Sequence, residues 1–194
     1  AADAVARARA LPQLAVGLHV VTVRGKPILQ PGLVPDLVDK AGNFDDNLVR
    51  AGFRYFFLPR VRQQLRNEIR AQFEAFAATG LPLDHVNAHN HMHIHPSILG
   101  MILDIGQEFG LKAVRLPWEP KFFSDMSLGD YFLRIWLRLL RRRATRACVR
   151  FNDQMYGMNA SGQMDRDQWL GVLRELSSGV SEVVCHPATA RWAG

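Results

Sequence analysis

The sequence predicts an α/β fold built on parallel strands, as an open sheet or a barrel. Three observations carry this. Short β-branched, apolar runs alternate with amphipathic stretches of helical period along the whole chain. Pro and Gly fall at the joints between them, with Pro96 opening one helical stretch and Gly80 and Gly110 closing two others. Polar, chemistry-bearing residues recur where the strand-like runs end, at His19, around His89–His93, at Arg115 and at His186. In barrels of this class the chemistry gathers at the C-terminal ends of the strands.

Taken in order, residues 1–10 read as the last turns of a helix stopped before Pro12, and 14–23 (L-A-V-G-L-H-V-V-T-V) as a buried strand. Residues 24–57 are expected to form a long Gly- and Pro-rich connection ending in the aromatic patch Phe53, Tyr55, Phe56 and Phe57. Val61, Leu65, Ile69, Phe73 and Phe76 recur at helical spacing and predict a helix over 59–79. A histidine-rich strand is expected over 84–93, a helix over 97–109 and a short strand over 113–117, followed by a loop over 118–127. The stretch 128–146 is a basic amphipathic helix, with six arginines beside an apolar face that includes Phe132, Ile135, Trp136 and Leu139. A strand over 149–158, a helix over 165–177 and a strand over 180–185 complete the pattern. Alternation turns Cys185 away from His186, as a buried structural thiol.

The 194 residues suit one domain with a sizeable core. The formal net charge of +6 suits a phosphate-bearing partner, an anionic membrane surface or simply a solvated basic face. Two cysteines, Cys148 and Cys185, make no disulfide framework and fit a reducing cytoplasm. No apolar run reaches the length of a membrane span, and the opening residues do not read as a secretory leader.

Five of the seven histidines lie between positions 85 and 95, all on odd positions, as is Asn87. On an extended strand such residues share a face. Imidazole is the commonest neutral ligand near pH 7, so the pattern reads as a metal site at a strand end. The bland alternative is a polar, half-exposed strand whose histidines serve as hydrogen-bond partners. His85 and His95, at the flanks, read as surface or capping residues.

G-L-H-V, D-H-V-N-A-H-N-H-M-H-I-H-P, A-V-R-L-P and V-C-H-P-A, in that order, resemble the YdjC-like carbohydrate deacetylases. P-D-L-V-D, R-A-G-F-R-Y-F-F and E-I-R-A-Q-F-E-A-F resemble the branch associated with hopanoid biosynthesis. The resemblance implies a distorted β/α (TIM-like) barrel that removes an N-acetyl group from an amino sugar with a divalent metal, Mg or Zn. It puts His19 and His89 on the metal and His186 at the general acid, with Arg115 lining the same rim; on the ligand strand itself, Asn87 and His93 read as substrate contacts, His93 alternatively as a support behind the ligands, and His91 as a hydrogen-bonding residue. The expected substrate is an N-acetylglucosamine-type headgroup on a hopanoid glycolipid. A cytoplasmic enzyme would meet it at the inner membrane, with residues 128–146 either lying in the interface or packing on the sheet as an ordinary barrel helix, oligomerisation left open and no nucleic acid expected.

Two departures stand out. The family's A-D-D-F-G type motif, which supplies a metal-binding Asp and a neighbouring acid, has no counterpart here, so a single domain over 1–194 is expected, an incomplete barrel lacking its first strands and its C-terminal end. Such a chain should bind metal poorly, be nearly inactive and carry an unpaired sheet edge. The family's D-S-H also reads N-A-H, with Asn87 for Asp, which keeps an acceptor and loses a base. The competing readings are a non-enzymatic basic metal-binding module that docks membrane or nucleic acid, and another barrel metallohydrolase.

Overall fold

A computed structural model describes residues 2–119, 127–158 and 164–186. They divide into two compact units, the first comprising residues up to 115 together with 142–150, the second 116–141 and 151 onward.

The first unit contains helix α1 (Ala2–Ala10), strand β1 (Val16–Val20), a 3-10 turn (Pro31–Leu33), α2 (Leu48–Phe57), α3 (Pro59–Ala77), β2 (Leu83–Ala88), a second 3-10 turn (His89–Ile94), α4 (Pro96–Glu108) and β3 (Ala113–Val114). β1 and β2 pair in parallel, with His19 opposite Asn87 and Val20 opposite Ala88, and β2 pairs in parallel with β3. β4 (Arg150–Phe151) continues the order β1-β2-β3-β4, with the Arg150 N–H donating to the Lys112 carbonyl. The sheet is open among the described residues, with β1 at one edge. The predicted α/β class with parallel strands is what is found.

The core follows the helical spacing. Val61, Leu65, Ile69 and Phe73 of α3 are buried, as are Ile98, Leu99, Ile102 and Ile105 of α4 and Val86 of β2. The same helix α3 also buries polar groups at one-turn intervals. The Gln72 amide donates to the Val21 carbonyl and accepts from its N–H; Glu68 accepts from the N–H groups of Ile28 and Leu29; Gln64 accepts from that of Asp36. These bonds hold a connection that otherwise has little regular structure, and they let Val23, Val34, Leu37 and Phe44 pack inward.

The expected connection over 24–57 is shorter than read, because its last third is helix α2. Asn47 caps it, its side chain accepting from the Arg50 N–H. The aromatic patch therefore sits on a helix, and Tyr55 is buried, its hydroxyl donating to the Thr22 carbonyl. The histidine strand also ends earlier than expected, at Ala88. Asn90 and His91 take left-handed backbone angles, with φ of 49° and 54°, which turn the chain and end the alternation.

The second unit holds α5 (Leu128–Arg146) up to Arg141, β5 (Gln154–Tyr156), α6 (Arg166–Glu175) and β6 (Ser181–Val183). β5 and β6 pair in parallel. The expected strand over 149–158 is two short ones, because the buried Asn152 leaves the ladder to bond Leu116 at both its N–H and its carbonyl. Asp165 caps α6 by accepting from the Gln168 N–H. Cys185 is exposed, contrary to the buried thiol expected from alternation, since β6 ends at Val183.

Candidate functional site

The site grows from one face of the β1–β2 pair. Residues opposite one another in parallel strands point to the same side, so His19 and Asn87 share a face; the register shifts between Val16 and Leu18, and there Gly17 lies against His85. Gly17 leaves room for the His85 ring; a Cβ there would lie 2.4 Å from His85 Nε2. One pair further along, His19 Nδ1 and Asn87 Oδ1 are 2.5 Å apart. An amide oxygen only accepts, so Nδ1 carries the proton and Nε2 keeps its lone pair. That lone pair faces the strand end, where His89 Nδ1 lies 3.5 Å from His19 Nε2. The two rings meet edge to face, their centroids 5.6 Å apart.

Two nitrogens bound to one ion at ordinary lengths stand about 3.0–3.4 Å apart. The pair therefore fits two positions around a divalent metal. A ligand imidazole whose second nitrogen donates to a fixed acceptor is a recurrent device for setting tautomer and ring plane, and Asn87 supplies that acceptor. His89 is half-buried, and burial holds it below the ordinary imidazole range, with the charges of His19 and Arg24 adding to the effect. It is thus neutral and able to coordinate near pH 7. Among the described residues no third His, Cys, Asp or Glu converges on the pair.

The other histidines separate by environment. His93 has no solvent exposure, and the Arg115 backbone is the hydrogen-bonding group beside its ring. Burial first, then the charges of His91 and Arg115, push it down to about 3. The substrate contact expected of His93 does not fit this burial: it supports the turn from beneath, its ring 5.9 Å from that of His91. Asn87, also expected at the substrate, spends its oxygen on His19. Arg115 extends the β3 pairing, its N–H donating to the Val86 carbonyl. His85 hydrogen-bonds Asp84, and His95 precedes α4 against the rings of Tyr55 and Phe56. His186 is exposed and belongs to the second unit. Arg24, near enough to act on His89 and held by the Asp46 carbonyl, escaped the sequence reading because it lies in the connection after β1.

Residues 1–192 match the family model described as YdjC-like protein. A carbohydrate deacetylase of Brevibacillus brevis is 38% identical over 118 residues, covering 59% of this chain and 43% of that protein. A carbohydrate deacetylase of Geobacillus stearothermophilus is 28% identical over 181 residues, covering 91% and 59%. A crystal structure from Enterococcus faecalis V583, provisionally described as a cellobiose-phosphate cleavage protein, superposes with a TM-score of 0.68 at 27% identity, covering 97% of this chain and 66% of that one. The chain thus spans about half the length of the curated relatives it matches.

Proposed function

Because the chain belongs to the YdjC-like protein family, we propose that it carries part of the active site of a divalent-metal-dependent carbohydrate N-deacetylase. The observation that carries this reading is the meeting of His19 Nε2 and His89 Nδ1 at the strand ends, with His19 oriented by Asn87. A divalent ion held there would acidify a bound water and polarise the acetyl carbonyl. His19 and His89 would hold it as neutral nitrogens, and Asn87 would keep the His19 lone pair directed at it. An acidic pair of the kind the family carries upstream would supply one further ligand and the base that takes the water's proton. His186 would protonate the leaving amine.

The proposed substrate is an N-acetylglucosamine-type headgroup on a hopanoid glycolipid. Its support is one stripe of α5, where Leu128 (79% exposed), Phe132 (72%), Ile135 (55%) and Leu139 (46%) face outward among arginines. Such a stripe suits the boundary between headgroups and acyl chains. Among the described residues no helix is long and apolar enough to cross a membrane.

The test is acetate release by the full-length protein with added divalent metal. Wild type should turn over only with metal, and His89→Ala and His19→Ala should lose at least 100-fold, about 2.7 kcal/mol of barrier. Unchanged turnover in His89→Ala would end the metal reading. Equal turnover on soluble chitooligosaccharides and on the glycolipid would leave the deacetylase but remove the hopanoid substrate.

A further inference from the structure

The second unit contains a cavity of about 230 Å³ lined by Trp118, Arg134, Arg138, Arg141, Asp153 and Gln154. We infer that this cavity binds a phosphoryl group carrying at least two negative charges, such as a diphosphate or a phosphorylated sugar or lipid headgroup. The inference does not depend on the deacetylase reading.

Arg134, Arg138 and Arg141 stand at i, i+4 and i+7 of α5, so they share a face. Their backbone positions span about 10 Å along the axis, at 1.5 Å per residue. Three guanidinium groups converging on one cavity suit an anion with several oxygens and more than one negative charge better than a single carboxylate. Guanidinium groups bind phosphate oxygens through paired N–H donors.

Two of the three arginines are held in place by the protein. The Arg134 guanidinium lies 5.5 Å above the centre of the Trp118 ring. Arg141 lies 5.7 Å above Phe151 and donates to the Asp153 carbonyl. Holding them in advance lowers the ordering cost of binding. The one acid among these lining residues is already engaged: Asp153 Oδ2 accepts from the Val180 N–H at 2.8 Å. Three arginines against one aspartate leave a formal lining charge of +2.

The probe in solution is inorganic pyrophosphate, titrated calorimetrically into the whole protein at fixed ionic strength. A second arm uses phosphatidylcholine vesicles with and without phosphatidic acid. Arg138→Gln alters an exposed side chain and should weaken binding at least tenfold, about 1.4 kcal/mol. Arg134→Gln should do the same. Arg142→Gln, which removes the same charge from the same helix outside the cavity, should change binding less than twofold. Saturable pyrophosphate binding with this pattern supports a soluble phosphoryl ligand. Binding confined to phosphatidic acid vesicles with the same pattern supports a lipid headgroup. Equal losses in Arg138→Gln and Arg142→Gln, or no saturable binding in either arm, overturn the inference.

Discussion

Replacing His93 with leucine should flatten the acid side of the stability profile. Burial holds the folded ring neutral, with a pKa of about 3, while the unfolded chain titrates near the ordinary value of 6.5. Between these values the unfolded state binds the extra proton. The folded state therefore has its full stability above the unfolded pKa and loses it as pH falls toward the folded one. A folded pKa of about 3 against 6.5 in the unfolded chain corresponds to about 5 kcal/mol at its limit. At pH 5 about 2 kcal/mol of it has been lost. Carboxylates contribute their own acid dependence, so the informative quantity is a difference. Urea unfolding of wild type and His93→Leu, each at pH 7.5 and 5.0 with chelator present, should show wild type losing about 2 kcal/mol more than the variant. At pH 7.5 the variant should differ little in stability, since leucine keeps an apolar side chain in the buried site and gives up one bond to the Arg115 backbone. Equal losses in the two proteins would refute the placement of His93 in the core.

Gly17→Ala should destabilise by about 1–2 kcal/mol, because its Cβ meets the His85 ring, and most of the loss should disappear in a His85→Ala background measured by the same unfolding. Glu68→Ala strands the N–H groups of Ile28 and Leu29 and should cost about 2–4 kcal/mol. Hydrogen exchange at those two amides should accelerate with it, and unchanged protection would refute the anchoring role. Asn87→Leu removes the acceptor at His19 Nδ1, so ring ¹⁵N shifts should move toward a mixture of tautomers and metal affinity should fall about 10- to 100-fold. A single retained tautomer would show that Asn87 does not set it.

Most helices were legible because their apolar spacing and their Pro, Gly and Asp boundaries act locally, as α3, α4, α5 and α6 illustrate. Helix α2 lacks such a boundary on its apolar side: its aromatic run continues the Gly- and Pro-rich connection without a break in composition, and only its Asn47 cap marks the start. The histidine pattern located the site but overstated its regularity. Alternation holds only as far as Ala88, and the left-handed pair Asn90 and His91 leaves no periodic trace. That turn is why histidines evenly spaced in sequence occupy different environments: His89 at the strand end beside His19, His93 in the core. The pairing of His19 with Asn87 follows from strand register, which depends on contacts 68 residues apart and not on local composition.

The buried polar side chains of α3 act as a comb. Gln64, Glu68 and Gln72 engage the chain at Asp36, at Ile28–Leu29 and at Val21, so equal steps along a rigid helix are matched to unequal lengths of a winding segment. The segment follows directly on the strand that carries His19. Substitutions within it that preserve these attachment points should be absorbed locally. A one-residue insertion between Glu68 and Gln72 would turn Gln72 about 100° out of phase with Gln64 and Glu68 and detach the segment at Val21. The placement of the segment therefore depends on the length and phase of the helix behind it as well as on its own buried Val23, Val34, Leu37 and Phe44.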